Sequence, residues 1–167
     1  MSERSPAPGG LALVQSLVNT LDLESGADAL ETAEGRARFA LTEGEAAGAR
    51  ELRESLRVAL LAHAGHPPHR SVTPLGELLA AAPLLVTVST ADGAAALAPA
   101  DTRPLLSRVA AAVAESLVAG TWTRLKACEA VDCHWAYYDR SPAGRGRWCS
   151  MQVCGARAKM RRYRARG

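Results

Sequence analysis

The sequence is poor in aromatic residues and has no long apolar run. It holds three Trp, three Tyr and one Phe in 167 residues, although 48% of its residues are hydrophobic. Such an alanine-rich composition with few large rings favours closely packed helices. No apolar stretch approaches the roughly 20 residues that cross a bilayer, and the start MSERSPAPGG lacks the basic-then-apolar pattern of a secretion signal. We therefore predict a mainly α-helical, cytoplasmic protein without a membrane segment.

Acidic residues are missing from the last thirteen positions, which contain six Lys or Arg. Residues 1–123 hold nine Lys/Arg against fourteen Asp/Glu, a net charge of −5, whereas residues 124–167 hold eleven against three, a net charge of +8. An acidic body followed by a basic module predicts that the module meets a polyanion. We expect two domains, 1–123 and 124–167, of which the first folds by itself.

The chain also lacks the residue groupings of common enzymes. It has no Gly-rich phosphate loop and no Ser/His/Asp grouping, so we predict that the protein is not an enzyme. The histidines of HAGHPPHR, His63, His66 and His69, are separated by Gly and Pro. This segment is predicted to be a plain exposed loop and not a second metal site.

Apolar residues at helical spacing predict a set of amphipathic helices in residues 1–123. LALVQSLVNTLDL forms the first helix, with Leu21 on its buried face, and a short helix is predicted around Phe39. The longest helix runs through EAAGARELRESLRVALLAHAG, where Thr42 and Glu45 form a capping-box pattern at the start and Gly65 marks the end. SVTPLGELLAAA and PLLSRVAAAVAESLVAG supply two more helices.

One β-hairpin is predicted in the body. LLVTVSTADGAAALA combines a β-branched run, an Asp-Gly pair and a second apolar run, which is a short-range hairpin signal. Asn19 and Thr20 are polar residues late in an apolar helix, and two interpretations stay open: they line a cavity, or they make a hydrogen bond at the helix end. A small-molecule or protein ligand of the N-terminal domain is therefore left open.

All cysteines lie in the basic module, with the spacing C-x4-C-x15-C-x4-C. Two close pairs separated by a stretch long enough for a hairpin can bring four thiolates to one tetrahedral ion. Disulfides are disfavoured in a cytoplasmic protein, so we predict a Zn²⁺ site, with free core thiols, an iron–sulfur cluster or two redox disulfides as alternatives. Four protein ligands leave zinc no open position, which makes the site structural. The predicted ligands are Cys128, Cys133, Cys149 and Cys154.

The basic module resembles the CGNR-type zinc finger. The resemblance runs from RLKACEAVDC through YYDRSPAGRGRWCSMQVCGARAKMRRYRAR and includes all four cysteines, Asp139, Ser141 and the RWCSM run. The preceding part, with LVNTLDL and DALETAEG, is similar to the ABATE domain. The resemblance implies a bacterial, stress-induced transcription regulator. The namesake motif has Asn between Gly and Arg where this chain has Ala156, so any contact made by that Asn is absent here.

The basic residues of the module are the candidate nucleic-acid contacts. If GARAKMRRYRARG is helical, Ala156, Met160 and Tyr163 form one apolar stripe and cations surround the rest. Arginine pairs bidentately with phosphates and guanine edges. The alternative is a solvated helix end that carries cations at the favourable end of its dipole. The candidate contacts are Arg145, Arg147, Arg157, Lys159, Arg161, Arg162, Arg164 and Arg166.

The remaining residues of the module are assigned structural roles. Asp139 and Ser141 are predicted to brace the turn between the cysteine pairs. The aromatics either stack on unpaired bases, which would favour RNA or single strands, or form a miniature core beside the metal, which is the interpretation that we prefer. They are Trp135, Tyr137, Tyr138 and Trp148.

The sequence therefore predicts a zinc-binding transcription regulator: a helical N-terminal domain with one hairpin, then a four-cysteine finger that ends in a basic helix and binds DNA. Two alternatives remain. One is a protein-interaction module whose basic tail touches an acidic surface. The other is an RNA-binding zinc finger protein.

Overall fold

The computed structural model describes residues 5–165, and most of its elements are helical. Three 3₁₀ or π-helical turns, Ala29–Glu31, Trp122–Arg124 and Met151–Gly155, connect the regular elements. The helices are α1 (Leu11–Val18), α2 (Ala33–Ala37), α3 (Ala46–His63), α4 (Leu75–Leu79), α5 (Leu105–Val118) and α6 (Ala156–Arg164). The strands are β1 (Leu84–Val88), β2 (Ala95–Pro99), β3 (Leu125–Ala127) and β4 (Ala136–Tyr138). Within 5–165, no helix is both long and apolar enough to cross a membrane.

Helix α3 is the central element of the body, and its start and end follow the sequence signals. The Thr42 amide donates to Glu45 Oε2 at 2.7 Å, which is one half of the predicted capping box. The other half is missing, because the Thr42 hydroxyl also donates to Glu45, and Glu45 itself is the N-cap of α3. Leu56 and Leu60 are fully buried on the face turned to the core. Gly65 follows the helix with φ +77°, a left-handed conformation that glycine adopts without steric cost. The predicted long helix is confirmed.

Helices α1 and α5 pack against α3 and enclose the main hydrophobic core. The predicted first helix is too long, because α1 ends at Val18 and Leu21 forms an isolated bridge with Asp28. The short helix expected around Phe39 lies earlier, at Ala33–Ala37, and Phe39 follows it as a buried residue. The errors concern helix boundaries, whereas the helical composition of the body is as predicted.

The predicted hairpin of the body is confirmed as the antiparallel pair β1 and β2. Its register pairs Leu84 with Pro99 and Val88 with Ala95. The hairpin packs on α5, and its outer side chains, including Val86 at 72% exposure, face solvent.

A second antiparallel pair, β3 and β4, joins the C-terminal module to the body. Leu125, Ala127 and Ala136 are fully buried in the same hydrophobic cluster as the leucines of α1 and α3. Strand β3 lies against α3, and β4 lies against α1. Removal of residues 124–167 would expose this apolar face of the body, and independent folding of residues 1–123 stays a prediction.

Candidate metal centre and basic helix

The first cysteine pair lies in the connection between β3 and β4. Cys128 directly follows β3, and Cys133 closes a tight turn in which its amide donates to the carbonyl of Ala130 at 2.9 Å. The Cys128 amide donates to the Trp135 carbonyl at 2.9 Å, which extends the β3–β4 ladder by one step. The two strands thus fix the positions of both thiols.

The second cysteine pair lies where the loop after β4 enters the C-terminal helix. Ser150 caps the π-helical turn Met151–Gly155, and its hydroxyl accepts from the Val153 amide at 3.3 Å. Cys149 precedes this cap, and Cys154 lies inside the turn, two residues before α6 begins. A metal bound to Cys154 would therefore anchor the first turn of α6.

The four sulfur atoms converge on one point. All of them lie within 4.8 Å of one another, and Cys149 Sγ lies 3.6 Å from both Cys133 Sγ and Cys154 Sγ. A tetrahedral zinc ion with Zn–S bonds of about 2.3 Å separates its sulfur ligands by about 3.8 Å. The arrangement fits a closed four-thiolate metal site, and the predicted ligand set comes together as one cluster.

The thiols influence the ionisation of one another. Hydrogen bonds from Cys133 and Cys149 lower the pKa of Cys128 to about 4, because they stabilise its thiolate. Hydrogen bonding with Cys128 and Cys133 raises the pKa of Cys149, because it stabilises the protonated thiol. Burial raises the pKa of Cys154. Deprotonation of all four cysteines would place four negative charges side by side, and a divalent metal among them would stabilise these thiolates.

His134 supports the first cysteine pair from the side of the body. Its ring Nδ1 lies 2.9 Å from the carbonyl oxygen of Cys128, and its backbone has φ 45°, which is uncommon for a residue with a side chain. The carbonyl of His134 accepts from Nη1 of Arg57 at 3.0 Å, and Nη2 of the same guanidinium donates to the Val18 carbonyl at 2.9 Å. Arg57 is fully buried. One arginine of α3 thus connects α1 to the metal-binding turn.

Asp139 braces the long loop between the cysteine pairs, as predicted. Its carboxylate accepts from the amide and hydroxyl of Ser141 at 3.0 and 2.6 Å and from the Gly146 amide at 2.7 Å. Nζ of Lys126 donates to it at 2.9 Å, in a pair of which both side chains are almost fully buried. These hydrogen bonds hold the pKa of Asp139 far below its usual range, although burial opposes them.

The aromatic residues of the module serve as packing residues around this centre. Trp135 and Trp148 pack against the cysteine cluster, Tyr138 packs against the main core, and Tyr137 is 7% exposed. This agrees with the miniature-core interpretation.

Two of the predicted nucleic-acid contacts have partners within the protein. Arg147 forms a two-pronged ion pair with Glu129, and Arg157 pairs with Glu24 of the body at 3.1 Å. The other described candidates are exposed and have no ion pair or side-chain hydrogen bond within residues 5–165. They are Arg145, Lys159, Arg161, Arg162 and Arg164. Arg166 lies outside the described residues.

The predicted apolar stripe of the C-terminal helix exists, but it does not face the protein. Ala158 is the buried residue of α6. Met160 is 52% exposed and Tyr163 is 77% exposed, and Ala156 is exposed as well. The helix thus turns its apolar stripe towards solvent, together with its cations.

The histidine segment, which begins with the last residue of α3, differs from the predicted exposed loop. Each of the three imidazoles is half-buried. His63 Nδ1 lies 2.7 Å from the Leu125 carbonyl, His69 Nε2 lies 2.9 Å from Glu54, and His66 lies 3.9 Å from Glu129. Among the described residues, the cysteine cluster is the one group with metal-ligand geometry. Two of the histidines, His63 and His66, contact residues of the C-terminal module instead.

Sequence reasoning missed the residues that join the body to the module. Asn19 donates to the Ala136 carbonyl at 3.0 Å and accepts from the Ala136 amide at 2.7 Å, so its side chain pairs with β4 like a neighbouring strand. Thr20, in contrast, makes the expected helix-end bond to the Leu17 carbonyl at 2.8 Å. The available signal was that Asn19 is a polar residue late in an apolar helix. This signal did not identify Ala136, 117 residues away, as its partner.

Comparison with known families divides the chain in the same two parts. The model of the ABATE family, described as "Putative stress-induced transcription regulator", matches residues 11–120. The model of the CGNR zinc finger matches residues 124–167, which include all four cysteines. No curated protein matches this chain.

Proposed function

Because the chain belongs to the ABATE family and ends in a CGNR zinc finger, we propose that it is a transcription regulator in which a structural zinc site orders a DNA-binding helix. Zinc is the proposed metal because the site offers four cysteine sulfurs at tetrahedral spacing. The four ligands would leave no coordination position for a substrate, so the proposed role is not enzymatic.

The observation that carries this proposal is the position of Cys154 directly ahead of α6. The thiol lies in the π-helical turn, and the helix begins two residues later. A helix of nine residues is too short to be stable alone in water. Metal binding would therefore fix both the existence of α6 and its direction relative to the body.

The charges of α6 support a nucleic-acid partner. Lys159, Arg161, Arg162 and Arg164 are exposed without partners in the described chain. Cations that no internal acid neutralises are available to phosphates, and each phosphate contact releases a counterion and strengthens binding. The body has a net charge of −5 and is not expected to bind DNA itself.

A salt titration tests the proposal. Fluorescence anisotropy would measure binding of the zinc-loaded protein to duplex DNA, single-stranded DNA and RNA between low and physiological salt. The triple variant Arg161→Ala, Arg162→Ala, Arg164→Ala should weaken binding to every duplex and reduce the slope of log K against log salt by about 0.9 for each phosphate that the variant no longer neutralises. Zinc content should stay at one ion per chain.

Arg103→Ala is the matched control, because Arg103 is an exposed arginine of the body that pairs with Asp101. It should leave both affinity and salt slope unchanged. Preference for single strands would favour the RNA-binding alternative. Absence of nucleic-acid binding, together with salt-insensitive binding to a protein, would replace the proposal with the protein-interaction alternative.

A further inference from the structure

The outward face of α6 carries an apolar stripe. Successive α-helical residues are about 100° apart, so Ala156 and Met160, two positions on either side of the buried Ala158, lie on the opposite side of the helix. Tyr163 follows on the same stripe. Val153, 42% exposed, continues it into the π-helical turn and lines a shallow depression of about 510 Å³ together with Ala156 and Met160.

Cations lie along both sides of this stripe. Arg157, Arg161 and Arg164 are spaced i, i+4 and i+7 and form one row, which borders the same depression. Arg157 also pairs with Glu24 of the body, whereas Arg161 and Arg164 have no ion pair within residues 5–165. On the other side, Lys159 borders the stripe. Arg162, spaced i+3 from Lys159 and i+4 from the buried Ala158, extends this row towards the protein-facing side of the helix. Apolar side chains thus occupy the middle of the exposed face, and positive charge flanks them.

We propose that α6 enters the major groove of duplex DNA with Ala156, Met160 and Tyr163 towards the base edges and its two cationic rows towards the phosphates of the two strands. This inference rests on the proposed DNA-binding function and adds to it the mode of binding and the residues that select sequence.

The chemistry of the duplex matches this face. The major groove is about 12 Å wide and admits an α-helix, and a phosphate backbone runs along each of its walls. Thymine presents a methyl group in this groove, and apolar side chains such as alanine contact it. The small side chain of Ala156 allows close approach of the helix, Met160 offers a flexible apolar contact, and the Tyr163 hydroxyl can donate or accept at a base edge.

A single-stranded ligand fits this face less well. Stacking on single strands uses several exposed aromatic rings. In the module, Trp135, Trp148 and Tyr137 are buried or packed against the metal site and core, and α6 offers one exposed ring, that of Tyr163. Two rows of cations separated by an apolar stripe also correspond to two phosphate backbones better than to one. An anionic membrane surface is the other possible occupant of a basic amphipathic helix, and it is tested alongside.

The experiment is selection of binding sites from a randomised duplex pool with the zinc-loaded full-length protein. Wild type should enrich a short site with thymine at one or more positions. Met160→Gln should change the preferred base at one or two positions and reduce discrimination against single mismatches by about tenfold, with the salt slope unchanged. Tyr163→Ser should alter a neighbouring position.

Met151→Gln is the matched control. Met151 is also an exposed methionine of the finger, at 72%, but it lies before α6 and outside the depression that Met160 lines. This variant should select the same site as wild type. If Met160→Gln and Tyr163→Ser select the same site as wild type and Met151→Gln, the stripe does not contact base edges. That result would overturn the inference and leave the proposed DNA binding intact.

Two further results would also overturn the inference. Tighter binding to single strands than to duplexes would exclude insertion into the groove. Binding to anionic phosphatidylserine vesicles that disappears in Met160→Gln, without any change in DNA selection, would assign the stripe to a membrane surface. Failure of wild type to bind any DNA would instead remove the proposed function itself.

Discussion

At the scale of single residues, a few polar side chains join the two family segments of the chain. Asn19 uses both groups of its amide on Ala136, and Arg57 donates to backbone carbonyls of Val18 and His134. Hydrogen bonds of this kind contribute little when water can replace them, but a buried group left without its partner is costly. The contact between the two segments therefore depends on the few side chains that form hydrogen bonds with these buried backbone groups.

Asn19→Leu should be one of the most destabilising single changes outside the cysteines. It keeps the size of the side chain but leaves the buried amide of Ala136 without an acceptor, and only Gln15, at 3.4 Å, remains near its carbonyl. We expect a decrease in the free energy of unfolding of about 2 to 4 kcal/mol, measured by urea unfolding of the zinc-loaded protein.

Thr87→Val provides a control for this prediction. Its hydroxyl also bonds to a backbone carbonyl, that of Ala96 at 3.2 Å, but on the exposed hairpin of the body. The expected decrease is within about 0.5 kcal/mol. Equal decreases in the two variants would mean that Asn19 does not hold β4 to the body.

At the scale of elements, the end of α3 and the start of β3 meet through a titratable contact. His63 is the last residue of α3, and its ring contacts the Leu125 carbonyl and stands edge-on to Trp122 at 4.9 Å between ring centres. Burial lowers the pKa of His63, and the nearby positive charge of Lys126 lowers it further, although the bond to the Leu125 carbonyl opposes both. The neutral imidazole is the form that fits this junction.

The protein should therefore lose stability as pH falls from 7.5 to 6.0. The pKa of His63 is depressed in the folded state below its ordinary value of 6.5, so the unfolded chain takes up a proton first and is stabilised relative to the folded state. The decrease should be up to about 0.8 kcal/mol for this histidine. Urea unfolding at the two pH values, with zinc content checked at each, measures it.

His63→Gln should reduce this pH dependence, because glutamine has no proton to gain in this range. Part of the slope should remain, because burial also lowers the pKa of His69. Its stability at pH 7.5 should fall somewhat, since glutamine cannot replace the packing of the imidazole ring on Trp122. Parallel pH profiles for wild type and variant would show that His63 does not titrate at the junction.

Local elements were predictable because their signals lie close together in the sequence. The Asp-Gly pair marks the turn of the β1–β2 hairpin, and Gly65 and Gly120 end α3 and α5 with positive φ values. The four cysteines identify the metal site because their spacing is itself the signal. The end of α1 was misplaced, since Leu21 leaves the helix to bridge Asp28, and no local pattern specifies that pairing.

The contacts that assemble the site could not be predicted in the same way. These contacts join residues that are far apart in the sequence. The separation is 117 positions for Asn19 and Ala136, 77 for Arg57 and His134, and 62 for His63 and Leu125. Neither periodicity nor spacing connects such residues. The sequence also could not predict which face of α6 is turned to the protein, because a moderately apolar stripe suits either burial or exposure. In the structure the buried residue is Ala158, so the stripe faces solvent.

At the scale of the whole molecule, the finger and the body share one core. Leu125, Ala127 and Ala136 have no exposed surface and belong to the same cluster as Leu17 and Leu56. If the metal orders the finger, the free energy of metal binding also stabilises the folded body, because the two share this core. The net charges of the two segments suggest separation, whereas their shared core leads us to expect that they unfold together.

Removal of zinc should consequently destabilise α1 and α3 as well as the finger. Native-state hydrogen exchange would measure it: with a chelator, protection of core amides in α1 and α3 should fall by at least about tenfold, which corresponds to about 1.4 kcal/mol. Cys149→Ser should reproduce this effect. Unchanged protection in α1 and α3, with exchange confined to residues 124–165, would mean that the body is independent after all.

The late position of β4 in the chain bears on the order of events during synthesis. Asn19 leaves the ribosome long before Ala136, its hydrogen-bonding partner, has been added, and at about 5 to 20 residues per second the delay is on the order of ten seconds. Until β3 and β4 have been synthesised, the apolar surface of α1, α3 and α5 that these strands cover therefore stays exposed to solvent. A chaperone that covers this face, or a metal that arrives promptly once Cys154 has emerged, would determine how much of the newly made chain escapes aggregation.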